Sequence, residues 1–85
     1  MLLHVHEVRV VGPYQLHLVF SDGTAKTVDV RPVLTGPVFE PLLDQDYFKR
    51  VELDPICKTV VWPNGADIAP EALHELAPHT ESTAL

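Results

Sequence analysis

Residues 14–20 read Tyr-Gln-Leu-His-Leu-Val-Phe, so Tyr14, Leu16, Leu18 and Phe20 share one face while Gln15 and His17 take the other. Apolar and polar positions alternating at period two mark a half-buried strand. Residues 3–11 are Val- and Leu-rich with His4, His6, Glu7 and Arg9 interleaved, and they predict a preceding strand that ends at Gly12-Pro13. A two-residue loop would set Val11 opposite Tyr14 and Arg9 opposite Leu16. A three-residue loop sets Val10 opposite Tyr14 and Val8 opposite Leu16, which keeps the apolar sets together and is the preferred register. Ser21-Asp22-Gly23 is a strong turn signal, because Asp-Gly supplies the positive φ a tight hairpin needs, and residues 24–30 read as a third strand. With Gly23 left-handed in a three-residue loop, Val28 and Val30 align with Leu16 and Tyr14. The first thirty residues therefore predict an antiparallel meander.

The middle of the chain is less regular. Val38, Phe39, Leu42 and Leu43 have helical spacing, but Pro41 interrupts them and removes a helix hydrogen bond. One short helical turn is expected there, followed by a second at 44–49 with Asp44 as its cap. Tyr47 and Phe48 would close one edge of the core. Residues 51–54 and 58–62 alternate as a strand pair around Pro55, and Pro63-Asn64-Gly65 ends the second strand. Pro70 suits a first helical position and Glu71 the positive end of the dipole, so a helix is placed at about 70–76. The stretch 59–71, which holds strand, turn and helix start, organises this half of the chain.

Composition narrows the class. Eighty-five residues allow one domain, placed at 1–78 with 79–85 as a flexible tail. So short a chain has a thin core that a partner or a second copy would complete. A net charge of −6, with the six Lys and Arg scattered, argues against direct nucleic-acid binding. Cys57 is the single cysteine, which rules out an internal disulfide and agrees with a reducing cytoplasm. Neither a signal peptide nor an apolar run of membrane-spanning length is visible.

Few residues point to chemistry. His4 and His6 share a face by period two, but His17 falls on the other, and two imidazoles do not make a zinc site; no metal or cofactor is expected. Asp29 and Arg31 lie two apart on one face, as a ligand-binding pair or as an exposed ion pair worth under about 1 kcal/mol. Asn64, Asp67 and Glu71 cluster beside the turn, where acid–base work competes with turn formation and capping. Trp62, the single tryptophan, reads either as core or as a partner anchor. Lys58 beside Cys57 is expected to lower the thiol pKa slightly, yet no base is placed near it. No catalytic constellation is visible, and an enzyme is not expected.

Phe20-Ser21-Asp22-Gly23, Val28-Asp29-Val30, Gly36-Pro37-Val38-Phe39-Glu40-Pro41-Leu42 and Val61-Trp62-Pro63-Asn64-Gly65-Ala66-Asp67-Ile68-Ala69-Pro70-Glu71 follow one another in order. Together they resemble a small bacterial domain-of-unknown-function family, number 2442 in that series, over roughly residues 5–76. The resemblance implies a small α+β fold and no activity or catalytic residues to carry over. Some relatives add a C-terminal helix-turn-helix domain, and family genes often neighbour another short gene, an arrangement like toxin–antitoxin pairs. A chain ending at residue 85 is expected to lack that DNA-binding domain, so any repressor role would run through a partner.

The expected fold is α+β, with an antiparallel sheet of about five strands (the N-terminal meander plus a C-terminal strand pair) and two or three short helices. The expected function is a cytoplasmic protein-interaction module, the antitoxin-like member of a two-gene pair, with another small protein or a second copy as partner and no membrane contact. Its rival is a small-ligand or enzymatic site around Asp29, Arg31, Asn64 and Asp67. Trp62 joins those four as a candidate partner contact.

Overall fold

A computed structural model describes residues 2–78; the tail expected at 79–85 lies outside the described residues. Strand β1 (Val5–Gly12) pairs antiparallel with β2 (Gln15–Phe20), and β2 pairs with β3 (Ala25–Asp29). After 3-10 turns at Arg31–Val33 and Glu40–Leu43 comes helix α1 (Gln45–Phe48). Strands β4 (Glu52–Leu53), β5 (Val60–Val61) and β6 (Asp67–Ile68) form a second antiparallel sheet, and helix α2 (Pro70–Glu75) follows. The fold is thus α+β, but the expected five-strand sheet is divided into two three-stranded sheets. The additional strand is β6, whose two residues are too few to show a period in the sequence.

The β2–β3 register is the one the alternation predicts: Leu16 faces Val28, and the Val30 amide donates to the Tyr14 carbonyl at 2.9 Å. Gly23 turns the hairpin at φ 91°, and the Asp22 carboxylate accepts the Thr24 amide at 2.9 Å. The β1–β2 register differs from both alternatives. Val10 faces Leu16 and Val8 faces Leu18, while Gly12 faces Gln15 across a Pro13-Tyr14 turn. Val11 is the extra residue of a bulge, and Tyr14 turns the chain at φ 58°. The same apolar residues still share a face, since the slip from the expected pairing is two residues rather than one.

The core draws on both sheets. Leu16, Leu18, Val28 and Val30 come from the meander, Leu42 and Phe48 from the middle segment, and Val60, Trp62, Ile68 and Leu73 from the C-terminal half. Asp44 caps α1 by accepting the Asp46 amide at 2.9 Å, as its place before the helix predicted. Pro70 occupies the first turn of α2, where a missing amide leaves nothing unsatisfied.

Trp62 belongs to this core. Its side chain is 2% exposed, its ring lies 5.7 Å from that of Phe48, and its indole N–H donates to the Phe48 carbonyl at 2.9 Å. The reading of Trp62 as a surface anchor is therefore corrected, because an indole 2% exposed with its donor engaged inside the fold has almost no surface left for a partner. Trp62→Ala is expected to lower unfolding stability by about 3–5 kcal/mol, the usual cost of emptying an aromatic site. A urea titration measures this, and a loss under about 1 kcal/mol would be that of a surface residue.

Candidate functional site

No hydrogen bond or ion pair among the described residues joins the four polar candidates into one cluster. Asp29 ends β3, and its carboxylate accepts the Arg31 amide at 2.9 Å, a local turn that leads the chain out of the sheet. The two residues are thus joined through the backbone, and among the described residues no ion pair links their side chains. The Arg31 guanidinium lies instead over the Tyr14 ring, 5.8 Å from its centroid. Asn64 uses both ends of its amide: Oδ1 accepts from Ala66 N at 3.0 Å and Nδ2 donates to the Val38 carbonyl at 3.0 Å. Its place is structural, clipping the Pro63–Gly65 turn to the loop before α1. Asp67 is exposed on β6 opposite Val61. Asp29 and Asp67 sit on different sheets, and no hydrogen bond or ion pair among the described residues connects the two pairs.

The histidines separate as well. His6 is the unpaired residue of a bulge in β1, His17 contacts the Thr27 hydroxyl at 3.1 Å, and the His4 amide donates to Ser21 Oγ at 3.0 Å. Among the described residues no group of three or more His, Cys, Asp or Glu side chains is arranged to hold a metal ion.

Two features are better placed to act. The first is a cleft of about 320 Å³ between the β1–β2 turn and α1, lined by Val10, Val11, Gly12, Pro13, Tyr14, Gln45, Phe48 and Lys49. Tyr14 forms one wall, its ring edge-on to Phe48 at 5.6 Å and its hydroxyl donating to the Leu43 carbonyl. A positive φ in a tyrosine is uncommon, and here it turns the ring back over the core from a position outside the strand. The second feature is the edge of β3. Pairing in an antiparallel ladder alternates, and residues 24 and 30 bond to β2 at the two ends of the strand. Ala25, Thr27 and Asp29 therefore direct their backbone N–H and C=O groups away from β2.

Neither feature was singled out in the sequence; the cleft left a trace there, a tyrosine directly after Gly12-Pro13, whereas the β3 edge follows from the division into two sheets.

Helix α2 is fastened to the meander by charge. Lys26 on β3 donates its ammonium to the carbonyl of His74 and, at 2.7 Å, to that of Leu76, satisfying helix-end acceptors that lack intrahelical donors. His74 Nε2 lies 2.9 Å from the Asp22 carboxylate, and its ring packs edge-on against Phe20 at 4.9 Å.

The geometry thus defines a small α+β domain with a sheet edge turned away from β2 and a shallow cleft between the β1–β2 turn and α1. Residues 5–79 match the family described as protein of unknown function DUF2442, and the chain belongs to that family. It is similar to the crystal structure of NE0471 from Nitrosomonas europaea, described as a proposed DNA-binding protein, with 31% identity and a TM-score of 0.65. That match covers 72% of this chain and 40% of the other, so this chain spans less than half of that protein's length. No curated protein matches the chain. None of the described helices is long and apolar enough to cross a membrane.

Two carboxylates are held below the ordinary aspartate value of 3.8. Asp22 is lowered chiefly by accepting the Thr24 amide, and Asp54 by the amides of Ile56 and then Cys57. A carboxylate with a depressed folded pKa contributes stability above its unfolded value and loses that contribution as the pH falls through the folded one. Acid unfolding between pH 4 and 2 is thus expected to become less steep in Asp54→Asn, whose amide oxygen keeps the turn; an unchanged slope in denaturant titrations across that range would remove Asp54 from the account. The Cys57 thiol is raised above its ordinary 9.0, first by the charge of Asp54, so the slight lowering expected from Lys58 is overruled. At pH 7.5 iodoacetamide is expected to label this exposed thiol more slowly than free cysteine, and faster in Asp54→Asn, since the thiolate is the reacting form. Equal rates would contradict the influence of Asp54.

Proposed function

We propose that this chain is a non-catalytic protein-interaction module that receives a strand of its partner along β3. The observation that carries this reading is the edge formed by Ala25, Thr27 and Asp29. An exposed edge is a template for main-chain pairing with another protein. Native edges are ordinarily protected by bulges, prolines or outward charges. Strand β3 has no register shift and no proline, and its one lysine is drawn to the end of α2. The opposite edge is better defended. Strand β1 is irregular at both ends, exposes Glu7 and Arg9, and gives its Val5 amide to the Lys58 carbonyl at 2.9 Å.

The similarity to a proposed DNA-binding protein bears on the biological form of this role. That similarity covers 40% of the other chain, and the present chain carries a net charge of −6, which opposes contact with phosphates. Any action on DNA is accordingly assigned to the partner, and the antitoxin-like half of a two-gene pair is the form of this reading that the family resemblance favours.

The test is co-expression with the product of the adjacent gene, followed by co-purification and mass determination by light scattering. Thr27→Pro removes one outward N–H and leaves the β2 ladder intact, as proline is tolerated on an edge whose amide faces solvent. Thr27→Val controls for the hydroxyl contact with His17. The complex is expected to weaken by about tenfold or more, roughly 1.4 kcal/mol, in the proline variant alone, with both free variants still folded by circular dichroism. A complex indifferent to Thr27→Pro, or no complex at all, overturns the reading.

A further inference from the structure

We infer that the cleft between the β1–β2 turn and α1 is a binding site for a small organic anion with a compact apolar body, such as an aromatic carboxylate. This inference stands on the cleft alone and does not depend on the docking role of β3.

The lining divides by chemistry. Val10, Pro13, Tyr14 and Phe48 supply apolar and aromatic surface, and Phe48 is 1% exposed beneath it. Gln45 and Lys49 bring the polar groups, from the two ends of one turn of α1: the Lys49 amide donates to the Gln45 carbonyl. Apolar walls with a few convergent polar groups are the usual composition of a small-ligand site, and about 320 Å³ lies at the small end of that class.

The charge is what selects an anion. Acidic residues outnumber Lys and Arg by 12 to 6 in this chain, yet none of the eight lining residues is a carboxylate. Lys49 is exposed and forms no ion pair among the described residues, where the one such pair is His74 with Asp22. The Arg31 guanidinium lies over the Tyr14 ring but outside the cleft lining, so Lys49 is the cation of the lining. The cleft lining therefore carries one cation and no carboxylate on an acidic protein. A carboxylate there would meet the Lys49 ammonium and the Gln45 amide while its ring packs on Tyr14 and Phe48. Charge-assisted hydrogen bonds of this kind are among the stronger ones available, and the apolar walls exclude water from one side of the contact.

The backbone prepares the shape in advance. The turn carries Tyr14 at φ 58°, and a Cβ at Gly12 would come within 2.7 Å of Gln15 Oε1. The Tyr14 hydroxyl bond to Leu43 and the edge contact with Phe48 then hold that ring in place. A ligand would meet a wall that is already ordered, and preorganisation lowers the cost of binding.

The experiment is a two-dimensional ¹H–¹⁵N NMR titration of the full chain with benzoate, repeated with benzamide as the uncharged counterpart. Benzoate is expected to produce saturable shifts confined to the amides of residues 10–12, 14 and 45–49, with benzamide binding about tenfold more weakly. Lys49→Met keeps most of the apolar stem of an exposed residue and deletes the charge, so it is expected to weaken benzoate by about tenfold and leave benzamide unchanged. Equal affinity for the two probes, benzoate binding undiminished in Lys49→Met, or shifts that grow linearly without saturation would each overturn the proposal.

Discussion

Everything in this fold hangs on Phe48. The two sheets share no common ladder, and α1, which carries Phe48, is a single turn long. Tyr14 from the meander meets the Phe48 ring edge-on at 5.6 Å, Trp62 from the second sheet meets it at 5.7 Å, and the Trp62 indole N–H bonds to its carbonyl at 2.9 Å. One residue thus joins three segments that the backbone leaves nearly unconnected, apart from the bond between Val5 and Lys58. A four-residue helix has no stability of its own. It is held by the ring it delivers, and the cleft beside Tyr14 exists because the same ring fixes the distance between the turn and α1.

The charged residues divide between work inside the fold and residence at its surface. Lys26 and Asp22 are spent on docking α2, the first through two carbonyls and the second through His74. Asp29, Asp44 and Asp54 each accept a backbone amide two residues further on, which is how short acidic side chains build turns. Much of the acidic content is thereby structural. Lys49 is left in a cleft whose lining holds no carboxylate, so the distribution of charge is more informative than its sum.

The legibility of this chain followed the length of its elements. The β2–β3 hairpin could be read down to its register, because alternation over six residues and an Asp-Gly turn specify the same pairing. Asp44 and Pro70 were legible for the same kind of reason, each being a local signal with a local cause. The β1–β2 register was not, since a bulge at Val11 and a left-handed Tyr14 break the count that pairing arguments rely on. Strand β6 was lost to brevity. The candidate site was legible only as turn chemistry: Asp29, Arg31, Asn64 and Asp67 drew notice as polar residues at turns, and three of them, Asp29, Arg31 and Asn64, make local or turn-building contacts. Polarity at a turn marks the turn before it marks a ligand.

Trp62 carries this argument furthest. A lone tryptophan at the end of a strand has equal claims as core and as anchor so long as the core's extent is unknown. The balance is decided by its N–H, which needs an acceptor wherever the ring is buried; it finds the Phe48 carbonyl at the end of α1, which also accepts the Val51 amide at 3.3 Å. Trp62 is thereby held inside the fold at the end of α1, which turns the proposed recognition to the backbone of the β3 edge and to the cleft beside Lys49.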